Sequence, residues 1–289
     1  MTIKTHTNLF FVALRNEVFK SFRTIKIKCH WHDSRPSLAR NSLEPRDYRR
    51  DHRGSLSRGG NLPPRWTCMC SEQDGLIIEN MHDIPYTLEV GPEVCASMTA
   101  VCAAVRGLYP SWPLGVQILS AANQSALAVA LASGLDFIRA EGFVFSHVAD
   151  EGLLNACAGE LLRYRRRIGA EHVQIFTDIK KKHSAHALTS DVSIAETAQA
   201  AEFFLSDGVI VTGTATGAQA DPGELREVTQ SVRIPVLIGS GVTHDNVEQY
   251  LQANAMIIGS HFKKGGYWAN GVDAERVKRF MGKMHTLLE

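Results

Sequence analysis

Short apolar runs alternate with longer amphipathic stretches along most of the chain after residue 72. The apolar runs read as strands buried on both faces, and the stretches between them have the period of helices. The predicted strands lie at 76–78, 114–119, 137–138, 173–176, 208–211, 234–238 and 255–258. The predicted helices lie at 92–107, 124–133, 151–168, 194–204, 222–231, 245–252 and 273–287. About seven such units in tandem predict a parallel sheet covered by helices.

The last two apolar runs end in glycine and serine, which favours a barrel over an open sheet. Gly239-Ser240-Gly241 follows one run and Gly259-Ser260 follows the next. In (β/α)₈ barrels, the loops after the last two strands commonly hold a phosphate group. Small residues also permit tight turns without any ligand, which is the simpler interpretation. No Gly-x-Gly-x-x-Gly turn follows an early strand, as an open dinucleotide-binding sheet would require. We therefore predict an α/β fold, a (β/α)₈ TIM-type barrel whose first βα unit is missing or divergent.

The first 72 residues differ from the rest of the chain. Residues 6–14 have the pattern of a strand and 16–22 that of a helix, whereas 33–65 are rich in Arg, Ser, Asp, Pro and Gly. Such a composition predicts disorder. Residues 1–72 are thus a basic extension before a barrel domain at 73–289, with three interpretations: a targeting or regulatory segment, a divergent first strand, or the product of an altered transcript. Without a first strand, the strand that ends at Gly259 would lie beside an open edge.

Composition limits the possible compartments and binding partners of the protein. The chain has 289 residues, 44% of them hydrophobic, and a net charge of +1, so no strong field favours nucleic acid. No apolar run reaches the roughly 18 residues of a membrane span. The six cysteines form no disulfide pattern. We expect a soluble intracellular protein, cytoplasmic or mitochondrial, and the sequence leaves a homo-oligomer open.

Candidate chemistry follows the predicted strands, because functional residues of a barrel sit at the carboxyl ends of its strands. Glu79 and Asp178 each come after a buried run, and they can act as acid and base or hold a divalent cation such as Mg²⁺. Arg139 and Glu141 lie on one face of their strand and form either a buried ion pair or a contact to an anionic ligand. His183 is a candidate proton carrier. Each position also has a structural interpretation, as a polar turn, an ion pair or a solvated loop.

Two further segments fit a phosphate ligand. The loop at 210–217 carries three threonines and two glycines, Gly213 among them, and Lys263 follows the last Gly-Ser turn. Glycine lets a backbone approach a ligand closely, and lysine neutralises phosphate charge. No cysteine or histidine cluster has zinc spacing, and neither a Walker loop nor a Gly-x-Ser-x-Gly elbow is present.

Several blocks of the sequence resemble the BtpA family, in order and over nearly all of 73–289. They are 74–86, 113–119, 137–139, 160–165, 212–217, 239–243, 259–260 with Lys263, and 273–277. The resemblance implies a barrel of the ribulose-phosphate-binding type that takes a small phosphorylated metabolite, a phosphosugar or nucleotide-like compound. Lyase, isomerase and transferase chemistry all stay open, because a fold does not choose among them. The alternative is a non-enzymatic factor that assembles or stabilises a larger complex, membrane-associated or not.

Overall fold

Seven parallel strands form the wall of the barrel in the computed structural model, which describes residues 8–14 and 75–288. They follow one another around the wall in chain order, each hydrogen-bonded to the next. The strands are β2 (Gly75–Glu79), β3 (Leu114–Gln117), β4 (Phe137–Ala140), β7 (Gln174–Ile179), β9 (Gly208–Val211), β10 (Val236–Ile238) and β11 (Ala255–Ile258). This order confirms the predicted barrel class.

An antiparallel strand closes the wall. β1 (Asn8–Leu14) pairs with β11 on one side and with β2 on the other, and runs against both. In register, Phe11 lies opposite both Ile258 and Leu76. The predicted strand at 6–14 therefore exists, and it fills the edge expected to be open, although in the reverse of the direction usual for a first barrel strand. The predicted helix at 16–22 and the predicted disorder at 33–65 lie outside the described residues.

Helices cover the outside of the barrel and start where their sequences carry start signals. They are α1 (Pro92–Leu108), α2 (Asn123–Ser133), α3 (Ala158–Arg167), α4 (Ile194–Phe203), α5 (Pro222–Ser231) and α6 (Ala274–Leu288). Proline occupies the first position of α1 and of α5, where its missing N–H costs nothing. A capping box between Ser193 and Glu196 begins α4. None of the helices in the described ranges has the length and apolar character needed to cross a bilayer.

Two helix predictions are wrong in extent. The helix expected at 151–168 begins only at Ala158, because the preceding residues form a hairpin of β5 (His147–Ala149) and β6 (Gly152–Leu154). Gly152, with φ of 112°, occupies a backbone conformation that a side chain would strain, so Asp150 and Glu151 make a hairpin turn instead of a helix start. A third short strand, β8 (Ser184–Ala185), pairs with β5. The helix expected at 245–252 is only a 3₁₀ turn at Val247–Tyr250.

Alternate residues of the parallel strands face two separate apolar clusters. The larger cluster lies between the strands and the helices, and the smaller one fills the barrel interior. Interior space is shared between large and small residues: a Cβ on Gly115 would lie 2.2 Å from Phe137, and one on Gly208 would lie 2.7 Å from Phe176. These glycines thus make room for two aromatic rings that meet edge to face. The interior cluster comprises Ile77, Phe137, Phe176, Ile210, Leu237, Ala255 and Ile257.

Candidate active site

A buried polar layer lies directly above this apolar plug, at the carboxyl ends of the strands. Moving two residues along each strand from the interior cluster keeps the side chain on the same face. The residues reached in this way are Glu79, Arg139, Asp178, Thr212, Gly239 and Gly259, and the same step from Gly115 reaches Gln117. Apart from the two glycines, all of these residues are buried, with an exposed fraction of 9% or less. Five of the seven parallel strands thus place a polar side chain at the mouth of the barrel, and β10 and β11 place a glycine there.

Arg139 and Asp178 form a two-pronged ion pair across neighbouring strands. Arg139 Nε and Nη2 donate to Asp178 Oδ1 and Oδ2, each at 2.9 Å. The two side chains are 6% and 1% exposed, so the pair is shielded from water. Such fork-to-fork geometry is the strongest form of the Arg–carboxylate contact. Both Asp178 oxygens therefore accept from Arg139, which was expected to pair with Glu141 or with a ligand.

Glu141 has a different cationic partner. Lys181 Nζ lies 3.3 Å from Glu141 Oε2, and both side chains are buried. The Ala121 N–H donates to the same oxygen, and Gln117 Nε2 donates to Glu141 Oε1, each at 3.2 Å. Because an ionised carboxylate only accepts, the amide of Gln117 turns its NH₂ toward Glu141. The Gln117 Oε1 atom, in turn, is buried and has no partner among the described residues.

The charge of Glu79 is disfavoured by the burial of its carboxylate. Burial raises the pKa of Glu79, and Glu141 and Asp178 add to the effect, while Arg139 and Lys182 oppose it. Loss of water around a carboxylate penalises the ionised form in this way. A carboxyl group with a raised pKa at the mouth of a barrel is suited to general acid–base chemistry near neutral pH.

Two lysines face the same group. Burial lowers the pKa of Lys182, and Arg139 adds to the effect whereas Glu79 opposes it. Lys263 is only 1% exposed, and burial lowers its pKa to about 8 despite the attraction of Glu79. Part of the positive charge at the mouth is therefore carried by amines that release a proton more readily than exposed lysines do.

The two predicted phosphate turns lie on the β10 and β11 side of the mouth. Ser240 is buried, and its hydroxyl lies 3.2 Å from the carbonyl of Ala215 and 2.9 Å from that of Ala218. The Gly239 N–H donates to Val211 O at 2.8 Å. These groups shape the turn, and the Ser240 hydroxyl and the Gly239 N–H already have protein acceptors. Gly259 and Ser260 are partly exposed at the end of β11.

Close packing within the loop after β9, and between it and the loop after β10, explains two of the glycines expected to hold phosphate. A Cβ on Gly213 or on Gly241 would lie 2.3 Å from the carbonyl oxygen of Ala218. Gly241 also has φ of 66°, a conformation that glycine adopts without strain. The loops after β9 and β10 thus meet through backbone contacts. Gly217, by contrast, comes near the Ser260 hydroxyl, with its would-be Cβ 3.8 Å from Ser260 Oγ.

His183 lies at the edge of the mouth and not in the buried layer. Its Nε2 atom accepts from the Thr216 N–H at 3.1 Å and lies 2.8 Å from Thr216 Oγ1. The backbone N–H of His183 donates to Thr214 O at 3.2 Å, so the residue links the loops after β7 and β9. Burial lowers the pKa of His183, and Lys182 adds to the effect.

Sequence reasoning missed the role of Gln117 and a pair of histidines beside the mouth. Strand alternation could have found Gln117, because it shares a face with Gly115. His147 and His186 come from loops that follow different strands, so no spacing in the sequence relates them. In the structure their ring centroids are 5.3 Å apart.

A barrel with an apolar interior and a charged, buried mouth defines the class of this protein: a (β/α)₈-type barrel with a candidate ligand site where active sites of such barrels lie. The chain belongs to the BtpA family, whose model matches residues 70–286. Among its relatives, a protein of Caenorhabditis elegans named as uncharacterized and mitochondrial is 52% identical over 74% of this chain and 79% of its own length. The photosystem I biogenesis protein BtpA of Synechocystis is 36% identical over 73% of this chain and 74% of its own.

Solved structures give looser likenesses. The phosphoribosyl anthranilate isomerase of Thermus thermophilus has a TM-score of 0.46 at 13% identity, over 66% of this chain and 80% of the enzyme. The orotidine 5′-monophosphate decarboxylase of Methanocaldococcus jannaschii, complexed with the inhibitor BMP, has a TM-score of 0.44 at 14% identity, over 64% and 79%. These likenesses concern the fold alone.

Proposed function

We propose that this protein is an enzyme that binds a small phosphorylated metabolite at the carboxyl mouth of its barrel. The phosphosugar and nucleotide-like compounds are the candidate ligands, and lyase, isomerase and transferase chemistry stay open. The observation that carries the proposal is the buried polar layer: burying charged groups is costly, and proteins retain such groups where chemistry or recognition needs them. A barrel that served only as a scaffold would be more stable with an apolar layer there.

Glu79 is the residue that we assign to proton transfer. It combines a raised pKa with electrostatic interactions with Arg139 and Lys182. Asp178 is fully engaged by Arg139, so we assign it to positioning that guanidinium and not to acid–base work. Arg139, held rigid in this way, offers a fixed positive charge to an anionic substrate. His183 remains a candidate proton carrier at the rim.

The phosphate would lie between the loops after β10 and β11. Ser260 and Lys263 supply a hydroxyl and a charge on the β11 side, and Gly213, Gly239, Ser240 and Gly241 shape the neighbouring loops. Among the described residues, no group of three or more His, Cys, Asp or Glu side chains is arranged to hold a metal ion. In this proposal a divalent cation such as Mg²⁺ enters with the phosphate itself, and Glu79 is a candidate ligand for it.

A non-enzymatic role in assembling a larger complex is the second candidate. The name of the Synechocystis relative as a biogenesis protein favours it. Exposed apolar side chains at the end of α4 offer a docking surface for such a role, since Phe203 and Leu205 are 81% and 68% exposed. As for the compartment, the name of the worm relative favours mitochondria over the cytoplasm.

One pair of variants separates the two functions. Glu79→Gln removes the titrating carboxyl at nearly constant volume, whereas Phe203→Ser removes exposed apolar surface far from the mouth. An enzyme loses turnover of a phosphorylated compound in the first variant and keeps it in the second. An assembly factor shows the opposite pattern when complex formation is measured, and that pattern would count against the enzymatic proposal.

A further inference from the structure

Lys182, in the loop after β7, carries an amine that no described residue engages. The two lysines before it are both held: Lys180 Nζ donates to Thr189 O at 2.7 Å, and Lys181 Nζ lies 3.3 Å from Glu141 Oε2. Within the described ranges, the Lys182 Nζ atom makes neither a hydrogen bond nor an ion pair, and the bonds of this residue are made by its backbone. The amine is therefore available to a ligand.

The loop fixes the backbone from which this side chain extends. The Lys182 N–H donates to Thr212 Oγ1 at 3.1 Å, and the Lys182 carbonyl oxygen accepts from Ser184 Oγ at 3.3 Å. Lys180, two residues before, and His183, one residue after, have φ of 44° and 55°, which residues other than glycine rarely adopt. Strained backbone of this kind persists only where the surroundings enforce it, and it clusters at active sites.

The Lys182 amine lies near the buried polar layer of the mouth. Four charged residues of that layer, contributed by β2, β4 and β7 or by the position directly after β4, act on it electrostatically. They are Arg139, Glu79, Asp178 and Glu141. Lys182 is also partly exposed, so a ligand in the mouth can reach its amine, whereas Lys263 is only 1% exposed.

The surroundings of Lys182 favour its neutral form. Burial lowers the pKa of Lys182 and Arg139 adds to the effect, although the nearby carboxylates oppose it. A neutral amine is a nucleophile, and enzymes activate lysines for attack on carbonyl substrates by desolvating them or by placing them next to another cation. Glu79 acts on the same amine, and its raised pKa keeps a proton available there.

We propose that Lys182 is a catalytic nucleophile that forms an imine with the carbonyl carbon of a phosphorylated aldehyde or ketone. This inference rests on the proposed function and narrows its substrate class. The Nζ atom bonds to the carbonyl carbon, and one amine proton moves to the carbonyl oxygen. The hydroxyl formed in this way leaves as water with a proton from Glu79. An iminium ion and the Glu79 carboxylate remain, so atoms and charge balance.

The step favours open-chain phosphosugars over nucleotides. A sugar in its open form offers a free aldehyde or ketone, whereas the ribose C1 of a nucleotide is bonded to the base. An iminium ion withdraws electrons from the neighbouring carbon, so a C–H or C–C bond next to it breaks more easily. Isomerases and lyases use this kind of bond breaking, and the amine of Lys182 would supply it here.

Reductive trapping tests the proposal on the full chain. Glyceraldehyde 3-phosphate, dihydroxyacetone phosphate or ribose 5-phosphate is added together with sodium cyanoborohydride, which reduces an imine to a stable secondary amine. The protein then gains the mass of the probe less one oxygen atom, and peptide mass spectrometry locates the label. We expect at least about tenfold more label on Lys182 than on Lys278, an exposed lysine of α6, because a probe bound at the mouth is held beside its target.

Lys182→Arg separates the reaction from the charge. Arginine keeps the positive charge but forms no imine, so trapping should be lost while ribose 5-phosphate still raises the Tm. Lys278→Met is the matched control and should keep both the trapping and the rise in Tm. Circular dichroism shows whether each variant folds, and Lys182→Gln replaces Lys182→Arg if that variant does not.

The outcomes distinguish this proposal from the phosphate site. Label spread evenly over exposed lysines, label found on Lys263 instead, or undiminished labelling of the Lys182→Arg chain would overturn the imine. A rise in Tm with phosphorylated probes but no trapping would also overturn it and would leave the phosphate site standing. Equal labelling of Lys182 by glyceraldehyde and by glyceraldehyde 3-phosphate would contradict the phosphate site and support the imine.

Discussion

Breaking the Arg139–Asp178 pair should destabilise the protein much more than breaking a surface pair of equal length. In Asp178→Asn the guanidinium loses its counter-charge while it stays buried. Two charge-assisted hydrogen bonds of 2.9 Å are affected, between side chains that are 6% and 1% exposed. Removing one member of a buried pair typically costs about 3–5 kcal/mol. We expect about 3 kcal/mol for Asp178→Asn, because Glu79 and Glu141 lie near Arg139 and partly compensate.

The assay is equilibrium unfolding in urea, supported by calorimetry. A loss of about 3 kcal/mol should lower the Tm by on the order of 10 °C in a domain of this size. The matched control is Glu248→Gln, which breaks the 2.9 Å pair of Lys283 and Glu248, whose side chains are 22% and 60% exposed. An exposed pair is worth about 0–1 kcal/mol, and salt should weaken it further.

A double-mutant cycle isolates the pair itself. Arg139→Met should cost as much as Asp178→Asn, because it leaves an unpaired carboxylate in the same layer. The double variant should cost clearly less than the two single costs together, by about 2 kcal/mol or more. If Asp178→Asn costs less than about 1 kcal/mol, or if the two costs simply add, the pair is not the buried and dry contact described, and the reasoning fails.

Four further changes test the rest of the structure. Burial raises the pKa of Glu79 in the folded state above its ordinary 4.5, so the folded protein binds this proton more tightly than the unfolded chain does. Stability should therefore fall as the pH rises from about 4.5 through the folded-state pKa. The Glu79→Gln variant should lack this fall when urea midpoints are compared across pH. Lys263, with a pKa of about 8 against 10.5, should make the wild type gain stability between pH 8 and 10.5 relative to Lys263→Met, and equal slopes would refute this. Gly115→Ala places a Cβ 2.2 Å from Phe137 and should cost about 1–3 kcal/mol in urea unfolding. Gly107→Ala is the control, because a Cβ there meets open space within α1, and it should be neutral or stabilising by up to about 1 kcal/mol. If Gly107→Ala cost as much stability as Gly115→Ala, the cost at Gly115 would not come from crowding in the barrel interior.

Much of the fold is predictable because buried parallel strands carry a continuous apolar run, which few other structures require. The runs that end at Glu79 and at Gly259 are of this kind, and each forms a wall strand of the barrel. The hairpin at β5 and β6 escaped prediction because its polar turn also resembles a helix start. The direction of β1 escaped as well, since the side-chain pattern of a strand is the same in both directions.

The site is predictable only in part, for the same physical reason. Strand alternation brings Arg139 and Glu141 to the mouth, but it does not say which acid meets which base. Asp178 meets Arg139 because β4 and β7 are neighbouring parallel strands, whereas the loops after these strands bring Lys181 to Glu141. The meeting of His147 with His186 likewise depends on loop conformation and has no periodic signal.

Binding of a phosphate group at the mouth can be measured by ligand-dependent melting. Wild-type protein is heated with ribose 5-phosphate or ribose, and with AMP or adenosine, each with and without Mg²⁺. A ligand that binds the folded state raises the Tm, so we expect a rise with at least one phosphorylated member of these pairs and none with its partner. Ser260→Asp should abolish the rise by placing a negative charge between the two loops, whereas Thr286→Asp, exposed near the end of α6, should keep it. No rise with either phosphorylated compound, or a rise that Ser260→Asp leaves unchanged, would contradict a phosphate site at this position.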